Sequence, residues 1–183
     1  MVGGFAAASV PDGSVLVTGG RGTGDESVAF AVVIAVDGTA TSVADLAQAR
    51  FKHEMVTLPT GEVLVIGGTS NDRELLRSTE IYDPVGRTFR PGPELSQGRY
   101  KMTGGVAVLP DGRVLVGTGA TGAEVLDPSN GSTVPVAGAP AGRSMSATAD
   151  VVGGEVIVLG GYGDGIVLNH TQWRVPLSEL PAA

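Results

Sequence analysis

The sequence predicts an all-β protein made of four similar sheets of four short strands each. Three observations carry this. An apolar strand motif recurs four times, as Val15-Leu16-Val17-Thr18-Gly19-Gly20, Val63-Leu64-Val65-Ile66-Gly67-Gly68, Val114-Leu115-Val116-Gly117-Thr118-Gly119 and Val156-Ile157-Val158-Leu159-Gly160-Gly161, at offsets of 48, 51 and 42 residues. A turn precedes the first three copies at a fixed distance: Pro11-Asp12-Gly13, Pro59-Thr60-Gly61 and Pro110-Asp111-Gly112, with Val152-Gly153-Gly154 in its place in the fourth. The composition, 29 Gly with only 17% charged and 4% aromatic residues, suits many short strands joined by tight turns.

Each element of the repeat has a physical reason. Pro presets φ and the Gly after it accepts positive φ, so the segment reverses as a hairpin. The strand that follows is apolar at consecutive positions, which requires burial on both faces. A small sheet held between two like sheets meets that requirement, as a propeller blade does. A third strand ends in Glu80-Ile81-Tyr82-Asp83-Pro84 or Glu124-Val125-Leu126-Asp127-Pro128, where Asp-Pro opens a second turn closed at Gly86 or Gly131. Thr88-Phe89 and Thr133-Val134 then mark a fourth strand. Residues 42–55 have helix-compatible composition, but the repeat places them across a strand, a loop and the next strand.

Residues 50–94, with Arg50, His53, the Pro-x-Gly turn, Gly67-Gly68, Tyr82-Asp83-Pro84 and Phe89, resemble a bacterial kelch repeat. The resemblance implies a kelch-type β-propeller domain over residues 1–183, with blades near 4–49, 50–98, 99–142 and 143–180. The outer copies depart from the pattern: the first has Val36-Asp37-Gly38 for Tyr-Asp-Pro, and the fourth has Asn169 in place of Asp127, with a short turn before a fourth strand at Trp173. Kelch propellers mostly close with five to seven blades, so four imply part of a longer ring, a ring completed by self-association, or a compact four-bladed ring. An unclosed row would leave two apolar blade faces in water.

Composition narrows the function. Twelve Lys and Arg against 19 Asp and Glu give a net charge of −7, which disfavours nucleic acid and anionic membranes as partners. Without Cys there is no disulfide framework, thiol nucleophile or thiolate metal site. The N-terminus lacks a basic, apolar leader and no apolar run has membrane-spanning length, so a soluble chain of open localisation is expected.

Antiparallel strands sort the loops onto two sides, with the repeated turns on one. The other side, where the loops vary, is the expected place for specificity. There the candidate ligand-binding residues are Arg50, Arg99 and Arg143, read as equivalent positions before each innermost strand, with His53, Lys101, Arg21, Asp72 and Arg73. Guanidinium groups around a channel mouth would hold an anion through forked hydrogen bonds. Equally, an arginine recurring in each repeat serves the repeat by pairing with an acid or carbonyl between blades. His53 and His170 lie in different blades, so no metal site is expected, Asp72 and Asp164 notwithstanding, and no cofactor.

Gly117-Thr118-Gly119-Ala120-Thr121-Gly122 fits the dinucleotide fingerprint, but a strand rather than a helix follows it. The Gly-rich segment 19–24 lacks the Lys-Ser/Thr of a phosphate loop. Asn130-Gly131-Ser132 and Asn169-His170-Thr171 are glycosylation sequons, relevant only to a secreted eukaryotic protein. The reading that results is a non-catalytic scaffold for a protein or carbohydrate ligand. The resemblance also leaves open an epimerase-like enzyme using Arg50, Arg99 and Glu54, or a structural half-propeller that assembles with other copies. Galactose-oxidase-like copper chemistry needs a cysteine that this chain lacks.

Overall fold

The computed structural model describes residues 3–168, 170 and 172–183. Its strands form four antiparallel sheets, each in simple up-and-down order. Sheet 1 holds β1 (Ala6–Ser9), β2 (Val15–Thr18), β3 (Ala31–Ile34) and β4 (Ala40–Ser42). Sheet 2 holds β5 (Glu54–Thr57), β6 (Val63–Ile66), β7 (Thr79–Asp83) and β8 (Thr88–Pro91). Sheet 3 holds β9 (Val106–Val108), β10 (Val114–Val116), β11 (Glu124–Asp127) and β12 (Ser132–Pro135), and sheet 4 holds β13 (Thr148–Val152), β14 (Glu155–Leu159) and β15 (Gln172–Pro176). The helix-compatible stretch at 42–55 contains no helix: it is the end of β4, a connection, and the start of β5.

The predicted turns carry the conformation their glycines permit, with φ of +85°, +87° and +89° at Gly13, Gly61 and Gly112. One expectation is corrected. Among the described residues sheet 4 has three strands, and Trp173 lies in the third, opposite Val158, rather than in a fourth. The loop from Gly161 to Gln172 is as long as that from Gly68 to Thr79, so the third strand starts later than a shortened turn would place it. Asn169 and Thr171, and with them the second sequon, lie outside the described residues.

The sheets stack face to face through three apolar layers. Leu16 and Ala31 meet Met55, Val63, Val65 and Tyr82 between sheets 1 and 2. Leu64, Ile66 and Ile81 meet Val114, Val116 and Leu126 between sheets 2 and 3. Leu115 and Val125 meet Val156, Val158 and Val175 between sheets 3 and 4. In the middle strand the valines therefore face the preceding sheet and the central leucine the following one, which explains why β6 and β10 are buried at every position.

The first strands β1, β5, β9 and β13 lie side by side in that order, and the described residues form no closed ring. The two outer faces differ, which corrects the expectation that both are apolar. Cross-strand pairing puts Ala7, Val17, Val32 and Ser42 in one row of sheet 1's outer face and Ser9, Val15, Ile34 and Ala40 in the other. The outer face of sheet 4 is mixed, with Thr148, Leu159 and Gln172 in one row, Asp150, Ile157 and Arg174 in the next, and Val152, Glu155 and Pro176 in the third.

Candidate functional site

The connections between sheets place the candidate residues, and backbone hydrogen bonds fix their register. Gly20 N–H donates to the Arg50 carbonyl at 2.9 Å, Gly68 N–H to that of Arg99 at 2.7 Å, and Gly119 N–H to that of Ser144 at 2.6 Å. Ser144, not Arg143, therefore occupies the position of Arg50 and Arg99, which corrects the sequence-based equivalence. Arg143 sits one residue earlier, partly exposed, with Nε 3.8 Å from Asp164.

Arg50 and Arg99 are 0% and 1% exposed. Arg50 donates to the carbonyls of Gly67 (2.8 Å) and Ser78 (2.9 Å) and to Glu80 Oε1 (2.8 Å). Glu80 also accepts the Ala47 N–H at 2.8 Å, so the pair clasps the connection arriving from sheet 1. Arg99 repeats this on sheet 3, donating to Glu124 and to the carbonyl of Thr118 at 2.9 Å, while Glu124 accepts the Ser96 N–H at 2.7 Å. Burial pulls the Arg50 guanidinium below its usual range and Glu80 pushes it back. With their donors consumed inside the protein, these arginines hold sheets together.

His53 is also interior, 4% exposed. Its Nε2 lies 2.8 Å from Thr18 Oγ1, and Thr18 Oγ1 lies 3.1 Å from Met55 Sδ. Burial, and secondarily the nearby Arg50 charge, push its pKa down to about 3. His170 is exposed. Among the described residues no group of three or more His, Asp or Glu side chains is placed to hold a metal ion. Glu54 is half-buried, and burial raises its carboxyl above the usual range against hydrogen bonds from the Met55 and Gly104 backbone.

The remaining candidates gather on the side opposite the Pro-x-Gly turns. Lys52, Lys101 and Ser146 occupy equivalent positions with φ of +56°, +53° and +50°. Their N–H groups form a chain across the sheets, Lys52 to Gly4 O (2.7 Å), Lys101 to Lys52 O (2.9 Å) and Ser146 to Lys101 O (2.8 Å). Each non-glycine left-handed residue costs about 1–2 kcal/mol, which this chain of bonds offsets.

The same geometry lifts the two lysines between aromatic rings. Arg21 lies 4.2 Å from the Phe51 ring centre and Lys52 5.0 Å from it; Lys52 is also 5.9 Å from Tyr100. Lys101 lies 5.3 Å from Tyr100 and 5.7 Å from Tyr162. The result is an arch of alternating cations and rings, Arg21–Phe51–Lys52–Tyr100–Lys101–Tyr162, each contact within cation–π range. Asp72 pairs with both Arg21 and Lys52. Partial burial pushes the Asp72 carboxyl up, but Lys52 and Arg21 outweigh it and hold it below its usual range. Lys101 has no carboxylate partner among the described residues. Arg73 is exposed on the Asp72 loop, where its N–H donates to Asn71 Oδ1.

Phe51, Lys52, Tyr100 and Tyr162 were not singled out in the sequence, although Phe51-Lys52 and Tyr100-Lys101 repeat there as a ring–cation pair one residue after an arginine. A hollow of about 280 Å³ beside Phe51, Lys52 and Arg21 opens at one end of the arch. A larger groove of about 570 Å³ lies on the turn side, between sheets 2 and 3, lined by Pro59, Glu62, Arg90, Pro110 and Asp111. Among the described residues no helix is long and apolar enough to cross a membrane.

No curated protein matches the chain. Residues 56–96, which span most of sheet 2, match the kelch motif. The chain thus carries a kelch motif within one of four consecutive antiparallel sheets, each consistent with a kelch blade.

Proposed function

We propose that the chain is a non-catalytic kelch-type scaffold that binds a protein or carbohydrate ligand along the cation–aromatic arch. The observation that carries this reading is Lys101, partly exposed between Tyr100 and Tyr162 with no carboxylate partner among the described residues. In a chain of net charge −7, Arg21 and Lys52 are offset by Asp25 and Asp72, and Lys101 is the rim cation that suits an anionic group on the ligand. The aromatic rings add area at small entropic cost, as they do in other recognition surfaces. A kelch motif fits an interaction role.

Arg50 and Arg99, two of the three residues an enzyme reading would use, pair with Glu80 and Glu124 in the interior, which favours the scaffold reading. A screen of acidic and neutral glycans and peptides by ligand-observed NMR tests the proposal. Binding should require Lys101 and Tyr162: Lys101→Ala and Tyr162→Ala lose it while melting temperature stays unchanged. A ligand held equally well by both variants would refute the arch as the binding surface.

A further inference from the structure

Lys52 and Lys101 stand at equivalent positions on neighbouring sheets and flank one ring, with their ammonium groups 5.9 Å and 5.3 Å from the centre of Tyr100. Their surroundings differ in one respect. Lys101 has no carboxylate partner among the described residues, whereas Lys52 shares Asp72 with Arg21. Loop length makes the difference. The loop of sheet 2 runs from Gly68 to Thr79 and supplies Asp72. That of sheet 3 runs only from Gly119 to Glu124, and Ala120, Thr121, Gly122 and Ala123 bring no acid to Lys101.

Local bonds set Asp72 in place. Asn71 Oδ1 accepts the N–H groups of Arg73 at 3.1 Å and Glu74 at 2.8 Å. Thr69 Oγ1 donates to the Glu74 carbonyl at 2.8 Å, and Thr69 pairs with Leu75 across the base of the loop. The corner so formed holds Asp72 at a φ of +63°. From it, one carboxylate oxygen meets Arg21 and the other Lys52. Asp72 therefore fills, with both oxygens, the position that a carboxylate from outside would take.

It fills that position weakly. The side chains of Arg21, Lys52 and Asp72 are 26%, 30% and 38% exposed, and ion pairs this solvated contribute little net stability. The rings do not compete for the same role. Phe51 is 1% exposed, so it stiffens the arch instead of stacking on a ligand, and what the arch offers along its length is charge. Taking the arch as the binding surface, on which the argument rests, we infer that Arg21 and Lys52 form a second anion position closed by Asp72. The arch then accepts a ligand with two carboxylates, one on Lys101 and one displacing Asp72 across the Tyr100 ring.

Small carboxylates are the probes: butyrate with one group, and the straight-chain diacids from succinate to suberate with two, titrated by NMR onto the full chain. Asp72→Asn is the informative variant, because asparagine tolerates the same positive φ but leaves Arg21 and Lys52 unneutralised. Diacids long enough to span Tyr100 should bind Asp72→Asn at least about fivefold tighter than the native chain, a gain that butyrate does not share. Adding Lys52→Ala to Asp72→Asn should remove the gain. Asp37→Asn makes the same charge change on the turn side, where its Oδ1 still accepts the Thr39 N–H, and should give no gain. If Lys101→Ala leaves butyrate and diacid binding unchanged, the arch is not the binding surface and both readings fall. If Lys101→Ala loses binding but Asp72→Asn shows no diacid preference, or Asp37→Asn matches it, only the second position is overturned and Asp72 merely balances charge. Absence of diacid binding to Asp72→Asn overturns it as well.

Discussion

Acidification should destabilise the protein through one residue, His53, and the effect can be worked from the structure. His53 is buried between sheets 1 and 2, and its Nδ1 has no hydrogen-bond partner among the described residues. If Nε2–H donates to Thr18 Oγ1, and the Thr18 hydroxyl donates to Met55 Sδ, the neutral ring leaves only an acceptor unpaired. Protonation would add an N–H at Nδ1 with nothing to receive it and place a cation near Arg50. Burial and that charge push the pKa to about 3, against 6.5 for an unperturbed ring.

Because the folded pKa is depressed, the unfolded chain binds the additional proton. The stabilisation is complete above the unfolded value and is lost as pH falls from about 6.5 toward 3. Between pH 7 and pH 5 the loss is about 2 kcal/mol, from a slope of about 1.4 kcal/mol per pH unit per proton. For a domain of this size that corresponds to roughly 4–8 °C in melting temperature. Denaturant unfolding at pH 7, 6 and 5 measures it, with His53→Gln as the control that removes the titrating group. The expected result is a slope in the native chain and a nearly flat line in the variant. Equal slopes, or an imidazole NMR titration of the folded protein centred near 6.5, would refute the assignment.

Other consequences follow from the same contacts. Arg50→Met leaves Glu80 buried without its cation and should cost about 3–5 kcal/mol in chemical denaturation. The double variant Arg50→Met/Glu80→Gln should cost less than the single one, because the buried charge goes with it. Gly68→Ala sets a Cβ 2.8 Å from both His53 Cβ and the Phe51 carbonyl, at a φ of +97°, and should lose at least about 2 kcal/mol by the same assay. Ser146→Gly, at φ +50°, should relieve left-handed strain and raise stability by up to about 1 kcal/mol, read as a higher melting temperature.

The strands and turns were legible in the sequence because their determinants are local. Pro-x-Gly and the Val-Leu-Val run state a turn and a doubly buried strand within a few residues, and the repeat confirms both. What was hidden depends on partners distant in sequence. Arg50 looks like a rim residue until Glu80, 30 residues on, is seen to hold it. The signal was present, since Glu80 and Glu124 stand at the same place before Tyr82-Asp83-Pro84 and Leu126-Asp127-Pro128. Arg143 misled because an arginine lies one residue from the true equivalent, Ser144, and only the backbone bond from Gly119 separates them.

That distinction changes how the arginines bear on the row's architecture. Among the described residues, the buried Arg–Glu clasp exists only where a connection passes between the first and second sheets and between the second and third. At the third passage Ser144 and Trp173 take its place, and sheet 1 has Val32 at the glutamate position. A buried ion pair contributes little net stability but makes its surroundings intolerant of rearrangement, since either partner alone is strongly destabilising. The central sheets are thus locked in register to their incoming connections, whereas the outer ones rely on apolar packing that tolerates repacking. Specificity of internal stacking is concentrated in the middle of the chain.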